Sequence, residues 1–325
     1  MELRPLGRTD IRISPISMGC WPIAGMTSRG VTEENSLASL NACLDEGINT
    51  FDTAFIYGAD GESEKLIARA LGSRRDEIVI CTKGGLHWEP NADGKLTMTH
   101  DARPATIRKE CEASLKRLGT DRIDLYYLHA PDPNTPVEET AGAFKQLIDE
   151  GKIRAAGVSN FNVAQLEAFH KVCPISAFQP PYNMILRDIE SDTLPWCIRH
   201  QVSTLVYWPL MKGLLAGKLQ RDHVFEDGDG RVKYPMFNGD EWQKNHDLLD
   251  ALRPIAKEAD HTVAQLVINW TIHQPGITSA ICGAKRPDQV RDNAGGAGWM
   301  LTPAMMAKID AALKTRGKPV TRWAV

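Results

Sequence analysis

The sequence predicts a (β/α)8 barrel, and three observations lead to this expectation. Short runs rich in β-branched and aromatic residues recur along the chain, and stretches with helical periodicity separate them. Several of those stretches end in glycine after a charged last turn, as helix C-termini do. The length of 325 residues suits one barrel of this kind. We therefore expect a single domain over residues 1–325.

The elements follow in order along the chain. A β-hairpin is predicted first, because "LRPLGRTDIRIS" places two short runs on either side of a turn at Gly7–Asp10. Eight strand candidates follow, at 15–21, 48–53, 77–84, 123–130, 153–160, 176–183, 203–210 and 277–284. Helical patterns fill the intervals, for example at 34–47, 62–72, 103–119 and 136–151. Two further segments exceed a minimal barrel, a polar loop at 220–242 and a final helix at 303–315.

A doubly wound parallel sheet is the alternative fold, but "SMGCWPIAG" after the first strand is not the GxGxxG fingerprint. The net charge of −3 and pI near 6.3 argue against a general nucleic-acid binder. With no apolar leader and no run of 18 apolar residues, we expect a cytoplasmic protein without membrane insertion. Seven scattered cysteines without a CxxC pair predict reduced thiols, and we expect no metal site.

Polar residues stand where the predicted strands end. Asp52 lies at the end of the second barrel strand, Tyr57 in the loop after it, Lys83 at the end of the third and His129 at the end of the fourth. In a barrel, the C-terminal ends of the strands form the catalytic face. An unpaired charge at an apolar strand end is costly, so an acid and a base at neighbouring ends predict a pair. We expect all four side chains to converge on one mouth.

The chemistry of this set is coherent. A tyrosine with a pKa of about 10 is a poor acid at neutral pH. A nearby lysine should lower the pKa of Tyr57, and a carboxylate should hold that lysine charged and oriented. A histidine on the same wall can hydrogen-bond a substrate carbonyl. The set suits protonation of a carbonyl oxygen while a hydride reaches the carbon.

These residues lie in motifs that resemble the aldo-keto reductase family, and the resemblance covers nearly the whole chain. Asp52 and Tyr57 lie in "FDTAFIYG", Lys83 in "CTKGG" and His129 in "YYLHAPD". Four further segments follow in the family's order: "GVSNF", "FQPPYN", "YWPLMKGLLAGK" and "GAKRPDQVRDN". The segments "GCW", "LHAPD" and "DPNTPVEET" favour the bacterial and potassium-channel-beta-subunit-like branches.

The resemblance implies an NADP(H) site. Ser159, Asn160 and Gln179 would hold the nicotinamide carboxamide, Tyr207 would stack on the ring, and Lys285 with Arg286 would receive the adenosine phosphate. Cys20 and Gln289 depart from the residues common in the family, and we expect the contact of Cys20 to be through its backbone. The full set implied in cofactor binding is Gly19, Cys20, Trp21, Asp52, Ser159, Asn160, Gln179, Tyr207, Trp208, Pro209, Leu210, Gly213, Leu214, Lys218, Gly283, Lys285, Arg286, Gln289, Asp292 and Asn293.

The main hypothesis is an NADPH-dependent reduction of an aldehyde or ketone to the alcohol. Trp21 and Trp88 would form an apolar substrate wall beside Tyr57 and His129. Two alternatives stay open: a redox-sensing subunit that binds NADPH with little turnover, and a Schiff-base aldolase that uses Lys83. The sequence leaves the carbonyl substrate, the physiological direction and the oligomeric state open.

Overall fold

A computed structural model describes residues 1–25, 30–91 and 93–320, and it confirms the barrel. Its strands, in chain order, are β1 (Arg4–Pro5), β2 (Arg12–Ile13), β3 (Ile16–Gly19), β4 (Thr50–Asp52), β5 (Val79–Gly84), β6 (Leu86–Pro90), β7 (Leu96–His100), β8 (Leu125–Leu128), β9 (Ala156–Ser159), β10 (Ile175–Gln179), β11 (Ser203–Tyr207) and β12 (Ile277–Gly283). The barrel strands β3, β4, β5 and β8–β12 are all parallel, and β12 closes the ring by pairing with β3. Each lies within a few residues of its predicted segment.

The helices surround this ring. They are α1 (Glu33–Asp45), α2 (Glu62–Leu71), α3 (Pro104–Leu118), α4 (Val137–Asp149), α5 (Val163–Val172), α6 (Thr193–His200), α7 (Gly239–Glu258), α8 (Val263–Ile272), α9 (Pro287–Ala294) and α10 (Pro303–Arg316). Capping boxes begin two of them, Asn162 with Gln165 at α5 and Thr262 with Gln265 at α8. The predicted final helix is α10.

The core has two main parts, because alternate residues of a barrel strand face inwards and outwards. Outward-facing residues pack against the helices in the larger cluster. The inner cluster contains Leu6, Ile11 and Ile13 of the N-terminal hairpin together with strand residues such as Val79 and Cys81. The predicted hairpin β1–β2 therefore closes the N-terminal end of the barrel and leaves the other end open for a site.

Two features differ from the sequence-based expectation. The segment 220–242 is not a loop throughout, because α7 begins at Gly239 and Trp242 is buried against the core. A second antiparallel hairpin, β6–β7, follows β5 directly and was not predicted. Its turn contains Gly94 in a left-handed conformation, within the "DG" pair that typically marks such turns.

All seven cysteines are buried as free thiols, and burial raises the pKa of each. Within the described ranges, none of the helices combines the length and the apolar character that a membrane span needs.

Candidate active site

Strand periodicity brings three of the predicted residues to the open end of the barrel. Val79 and Cys81 of β5 pack inside the barrel, so Lys83, two residues further along, also points inwards. Asp52 ends β4, and His129 directly follows β8. The three side chains therefore arrive at the same mouth from three strands.

Lys83 is the centre of this mouth. Its ammonium lies 2.7 Å from Asp52 Oδ2, 2.7 Å from the carbonyl oxygen of Thr53 and 3.4 Å from the hydroxyl of Tyr57. Gln179 donates to the other oxygen of Asp52 at 2.7 Å. The Asp52 and Lys83 side chains are almost fully buried, and both carboxylate oxygens are hydrogen-bonded, as a buried ion pair requires.

Tyr57 reaches the pair through a turn that follows β4. Its backbone N–H donates to the carbonyl of Ala54 at 3.0 Å, and Phe55 N–H donates to the carbonyl of Lys83 at 2.9 Å. These bonds tie the turn to the end of β5. The lysine Nζ lies 4.9 Å from the centre of the tyrosine ring, so its charge acts directly on the phenol.

Charge and burial act in opposite directions on these groups. Burial raises the pKa of Tyr57, and Lys83 lowers it by a smaller amount. The expected net lowering is therefore wrong, although the contribution of Lys83 has the predicted sign. Burial would lower the pKa of Lys83, but Asp52 and Tyr57 together raise it above its usual value. Lys83 is thus held as an ammonium ion, which disfavours the aldolase hypothesis because a Schiff base needs the neutral amine.

His129 stands beside the tyrosine, with ring centroids 5.8 Å apart. Burial lowers the pKa of its imidazole well below the usual value, and Lys83 adds to this effect. The ring is therefore neutral at physiological pH. Its Nδ1 is buried without a hydrogen-bond partner among the described residues. The histidine can offer one N–H donor to a ligand without bringing a positive charge.

The two tryptophans predicted to form a substrate wall lie near the tyrosine. Trp21 packs edge-to-face on Tyr57 with ring centroids 4.8 Å apart. Trp88 lies on β6, and its Nε1 donates to the carbonyl of Ile56 at 3.0 Å. Tyr57 and Trp88 both pack on a small apolar cluster that contains Ile56 and Leu86. The unpredicted hairpin β6–β7 is therefore what carries Trp88 to the mouth.

The residues expected at the carboxamide form one hydrogen-bond network, which meets the Asp52–Lys83 pair through Gln179. Tyr207 donates to Asn160 Oδ1 at 2.9 Å, and Asn160 Nδ2 donates to the carbonyl of His129 and to Ser159 Oγ. Ser159 donates in turn to the carbonyl of Gln179 at 2.7 Å. Asn160 adopts a positive φ of 62°, which is uncommon for a residue other than glycine and is typical of functional sites. The network fixes the amide of Asn160 at both ends, and the hydrogen bond to Asp52 orients the amide of Gln179.

Gly19 ends β3, and Cys20 and Trp21 follow it directly. Cys20 donates its backbone N–H to the carbonyl of Asp52 at 2.8 Å and accepts from Ser63 Oγ at 3.3 Å. Its thiol is buried and contacts the carbonyl of Met18, so the side chain does not face the mouth. Gly19 and Cys20 therefore present backbone and not side-chain groups.

The loop after β11 contains a lysine that the sequence analysis missed. Lys212 Nζ lies 4.4 Å from the ring centre of Trp208 and 4.6 Å from that of Tyr234. Burial alone lowers the pKa of this lysine to about 8. Trp208, Met211 and Lys212 have φ values of 61°, 46° and 53°, and strain of this kind gathers at ligand sites. A desolvated cation on a strained loop fits an anionic group such as a diphosphate.

Pro209, Leu210, Gly213 and Leu214 belong to the same loop, and Lys218 ends it. Lys218 forms an ion pair with Asp292 of α9 at 2.6 Å, and Thr262 donates to the same carboxylate. The loop is therefore joined to the segment that follows β12.

That segment contains the remaining cofactor candidates. The side chain of Gln289 accepts from the backbone N–H of Lys285 at 2.9 Å, and Asn293 Nδ2 lies 3.4 Å from the carbonyl of Gly283. Arg286 is exposed and pairs with Asp288 at 3.0 Å. The turn thus presents basic side chains at the N-terminus of α9, a favourable position for a phosphate.

The fold and this mouth together define an oxidoreductase that acts on carbonyl or alcohol groups with a nicotinamide cofactor. Residues 15–314 match the model of the aldo/keto reductase family, and the chain belongs to that family.

Similar proteins cover nearly the whole length of the chain. It is 38% identical to the aldo-keto reductase YhdN of Bacillus subtilis, over 97% of this chain and 94% of the relative. It is 33% identical to the NADH-specific methylglyoxal reductase of Escherichia coli, over 90% and 92%. It is also 33% identical to a probable voltage-gated potassium channel subunit beta of Arabidopsis thaliana, over 98% of both chains. The glycerol dehydrogenase AKR11B4 of Gluconobacter oxydans superposes with a TM-score of 0.91, at 35% identity over 99% and 98%.

Proposed function

We propose that this protein reduces a small aldehyde or ketone to the alcohol with NADPH, and that the whole chain acts as one catalytic domain in the cytoplasm. The observation that carries the proposal is the position of Lys83, whose ammonium contacts both the buried carboxylate of Asp52 and the hydroxyl of Tyr57. The bound nicotinamide would supply the hydride. The side chains of the mouth supply the proton and the orientation of the substrate.

Tyr57 is the proposed proton donor. Its raised pKa keeps the hydroxyl protonated at neutral pH, as a general acid must be. When the proton leaves, the adjacent ammonium of Lys83 stabilises the phenolate. Asp52 and Gln179 fix that ammonium in place. His129, which is neutral, donates a hydrogen bond to the carbonyl oxygen of the substrate and orients that oxygen toward Tyr57.

The cofactor site combines three groups of residues. Ser159, Asn160 and Gln179 would bind the carboxamide, and the partly exposed ring of Tyr207 would stack on the nicotinamide. The strained loop would bind the diphosphate, with Lys212 adding a positive charge.

Cofactor preference rests on the turn after β12. Lys285 and Arg286 would bind the 2′-phosphate that distinguishes NADPH from NADH. The guanidinium of Arg286 donates two hydrogen bonds to the carboxylate of Asp288, so a phosphate would have to compete with Asp288 for this guanidinium. Because one relative is named as NADH-specific, the preference needs a direct measurement.

The experiment is a turnover screen that follows the absorbance of NADPH and NADH with glyoxals, sugars, aldose phosphates and aromatic aldehydes. The Kd of both cofactors is then measured in wild type and in Lys285→Ala/Arg286→Ala. Arg291→Ala, which removes a basic side chain from the helix α9 that follows this turn, is the matched control. One charged hydrogen bond to the 2′-phosphate should make the affinity for NADPH about tenfold to a hundredfold higher than the affinity for NADH. Equal affinities in wild type, or an unchanged ratio in the double variant, would refute the NADPH assignment.

A cofactor-binding subunit with little turnover is the second candidate function, favoured by the full-length similarity to a probable potassium channel subunit beta. Both candidates need the cofactor residues, so binding alone does not separate them. Steady turnover of one substrate class would show that the protein is an enzyme. A single burst of cofactor oxidation, with no further turnover across the whole panel, decides for the subunit.

A further inference from the structure

The end of β5 joins the parts of the mouth through its backbone. Three consecutive carbonyl oxygens there accept backbone N–H groups at 2.9–3.0 Å, with Phe55 donating to Lys83, His129 to Gly84 and Asp101 to Gly85. These bonds connect the turn that carries Tyr57, the loop that follows β8 and the segment before α3. A displacement of this segment would therefore move the tyrosine and the histidine together with Lys83.

Glu110 of α3 accepts a hydrogen bond from the backbone N–H at the end of this segment. Its buried carboxylate accepts the N–H of Gly85 at 2.6 Å. The other oxygen lies 3.4 Å from Nδ1 of His87, the second residue of β6. Space for this contact depends on Gly84, because a Cβ at that position would lie 2.9 Å from the carboxylate and 2.1 Å from the hydroxyl of Tyr126.

We propose that Glu110 is a positioning residue, whose carboxylate fixes the turn from Gly85 to His87 and thereby orients both Lys83 and the hairpin that carries Trp88. The proposal rests on the proposed function for the reaction that it serves, but the contacts themselves do not depend on it. Glu110 does not contact Lys83 or Tyr57 directly. It acts through its hydrogen bond to the backbone of Gly85, while His87 Nδ1 is a close neighbour that does not form a hydrogen bond with the carboxylate.

The charges around Glu110 make this role dependent on pH. Burial raises the pKa of the Glu110 carboxyl to about 7. The backbone N–H of Gly85 and the side chain of His87 both lower this pKa, and the charge of Asp101 raises it further. Among the described residues, three groups face the Glu110 carboxylate. His87 lies on β6 and is also 3.1 Å from Glu89. Asp101 lies in the segment before α3, and Tyr126 lies on β8. An ordinary glutamate has a lower pKa, so the folded protein loses stability as the pH rises from that range to about 7, and the loss is complete above it.

The test compares Glu110→Gln with Glu112→Gln. Glu112 lies on the same helix, but it is exposed and pairs with Lys152. At pH 8 we expect Glu110→Gln to lower kcat/KM by about tenfold, the value of one charged hydrogen bond, and to leave the cofactor Kd unchanged. An inflection near pH 7 in the wild-type profile should be absent in this variant. Its thermal midpoint at pH 8 should be higher than that of wild type, because a buried charge has been removed.

A second measurement does not require activity. Amide hydrogen exchange at one pH should be faster at Gly85 and in the β6–β7 hairpin of Glu110→Gln than in wild type, and unchanged in Glu112→Gln. Glu110→Asp keeps the charge and should give intermediate protection. Unchanged exchange, or a loss of activity that is equal at every pH and accompanied by a lower thermal midpoint, overturns the proposal. If exchange responds but wild type turns over no carbonyl compound, the positioning role stands and the proposed function fails.

Discussion

Replacing Lys83 by Met should destabilise the protein by about 3–5 kcal/mol at pH 8, because it leaves the carboxylate of Asp52 buried and unpaired. Gln179 would still donate to one carboxylate oxygen, but the other oxygen and the carbonyl of Thr53 would each lose a donor at 2.7 Å. Lys65→Met removes an exposed lysine that pairs with Asp60, and it should cost no more than about 1 kcal/mol.

The double variant Asp52→Asn/Lys83→Met separates stability from catalysis. At this pair it leaves no unpaired charge, so the loss should fall to about 1–3 kcal/mol, the cost of leaving the carbonyl of Thr53 without its donor. Turnover should stay at least about a hundredfold below wild type, because no cation remains beside Tyr57. The stability gap between single and double variants should narrow as the pH falls, since burial raises the pKa of Asp52 and protonation removes its charge.

The assay is guanidinium unfolding followed by circular dichroism at pH 8 and pH 5, with turnover measured on the same samples. The reasoning fails if Lys83→Met unfolds at the wild-type denaturant concentration, or if the double variant is no more stable than the single one. Recovery of turnover in the double variant to within about tenfold of wild type would refute the role of the cation.

Tyr57→Phe should lower kcat by about 10²–10⁴-fold while the cofactor Kd stays close to wild type, and retention of more than a tenth of kcat would contradict the role of the hydroxyl. Lys212→Met should weaken binding of either dinucleotide by about tenfold or more. Wild-type affinity should decline above about pH 8, where Lys212 loses its proton, and a pH-independent wild-type Kd would exclude this role. Gly85→Ala should lower both thermal stability and turnover, because φ is 90° and the new Cβ would lie 2.7 Å from Leu128; wild-type values would show that the turn adapts.

The sequence predicted the barrel and the convergence of the mouth for the same physical reason. Parallel strands with buried faces appear as short apolar runs, and a polar residue at the end of such a run is conspicuous. Asp52, Lys83 and His129 all occupy that position. Tyr57 lies outside the run, so the sequence placed it only in the loop after the second barrel strand, and the turn that brings it to Lys83 is seen in the structure.

What the sequence did not reveal depends on burial across separate segments. Glu110 lies in "RKECEASLKR", where one more charge looks like part of a solvated helix face, yet it is 4% exposed because β6 and the turn at Gly85 cover it. Lys212 looks like an ordinary loop lysine until Trp208 and Tyr234 enclose it. The net pKa shift of Tyr57 had the wrong sign because its burial could not be weighed against the charge of Lys83.

The seven buried thiols have a practical consequence. Because a thiolate is the reactive form, and burial both covers these cysteines and raises their pKa, the folded protein should hardly react with maleimides. A cysteine introduced at Lys95, an exposed residue in the turn between β6 and β7, would then be the preferred attachment point for a fluorophore. Such a dye would report on the hairpin beside the mouth without removal of any native cysteine. The same protein, once unfolded, would expose all seven native thiols, so that the extent of labelling would count unfolded molecules.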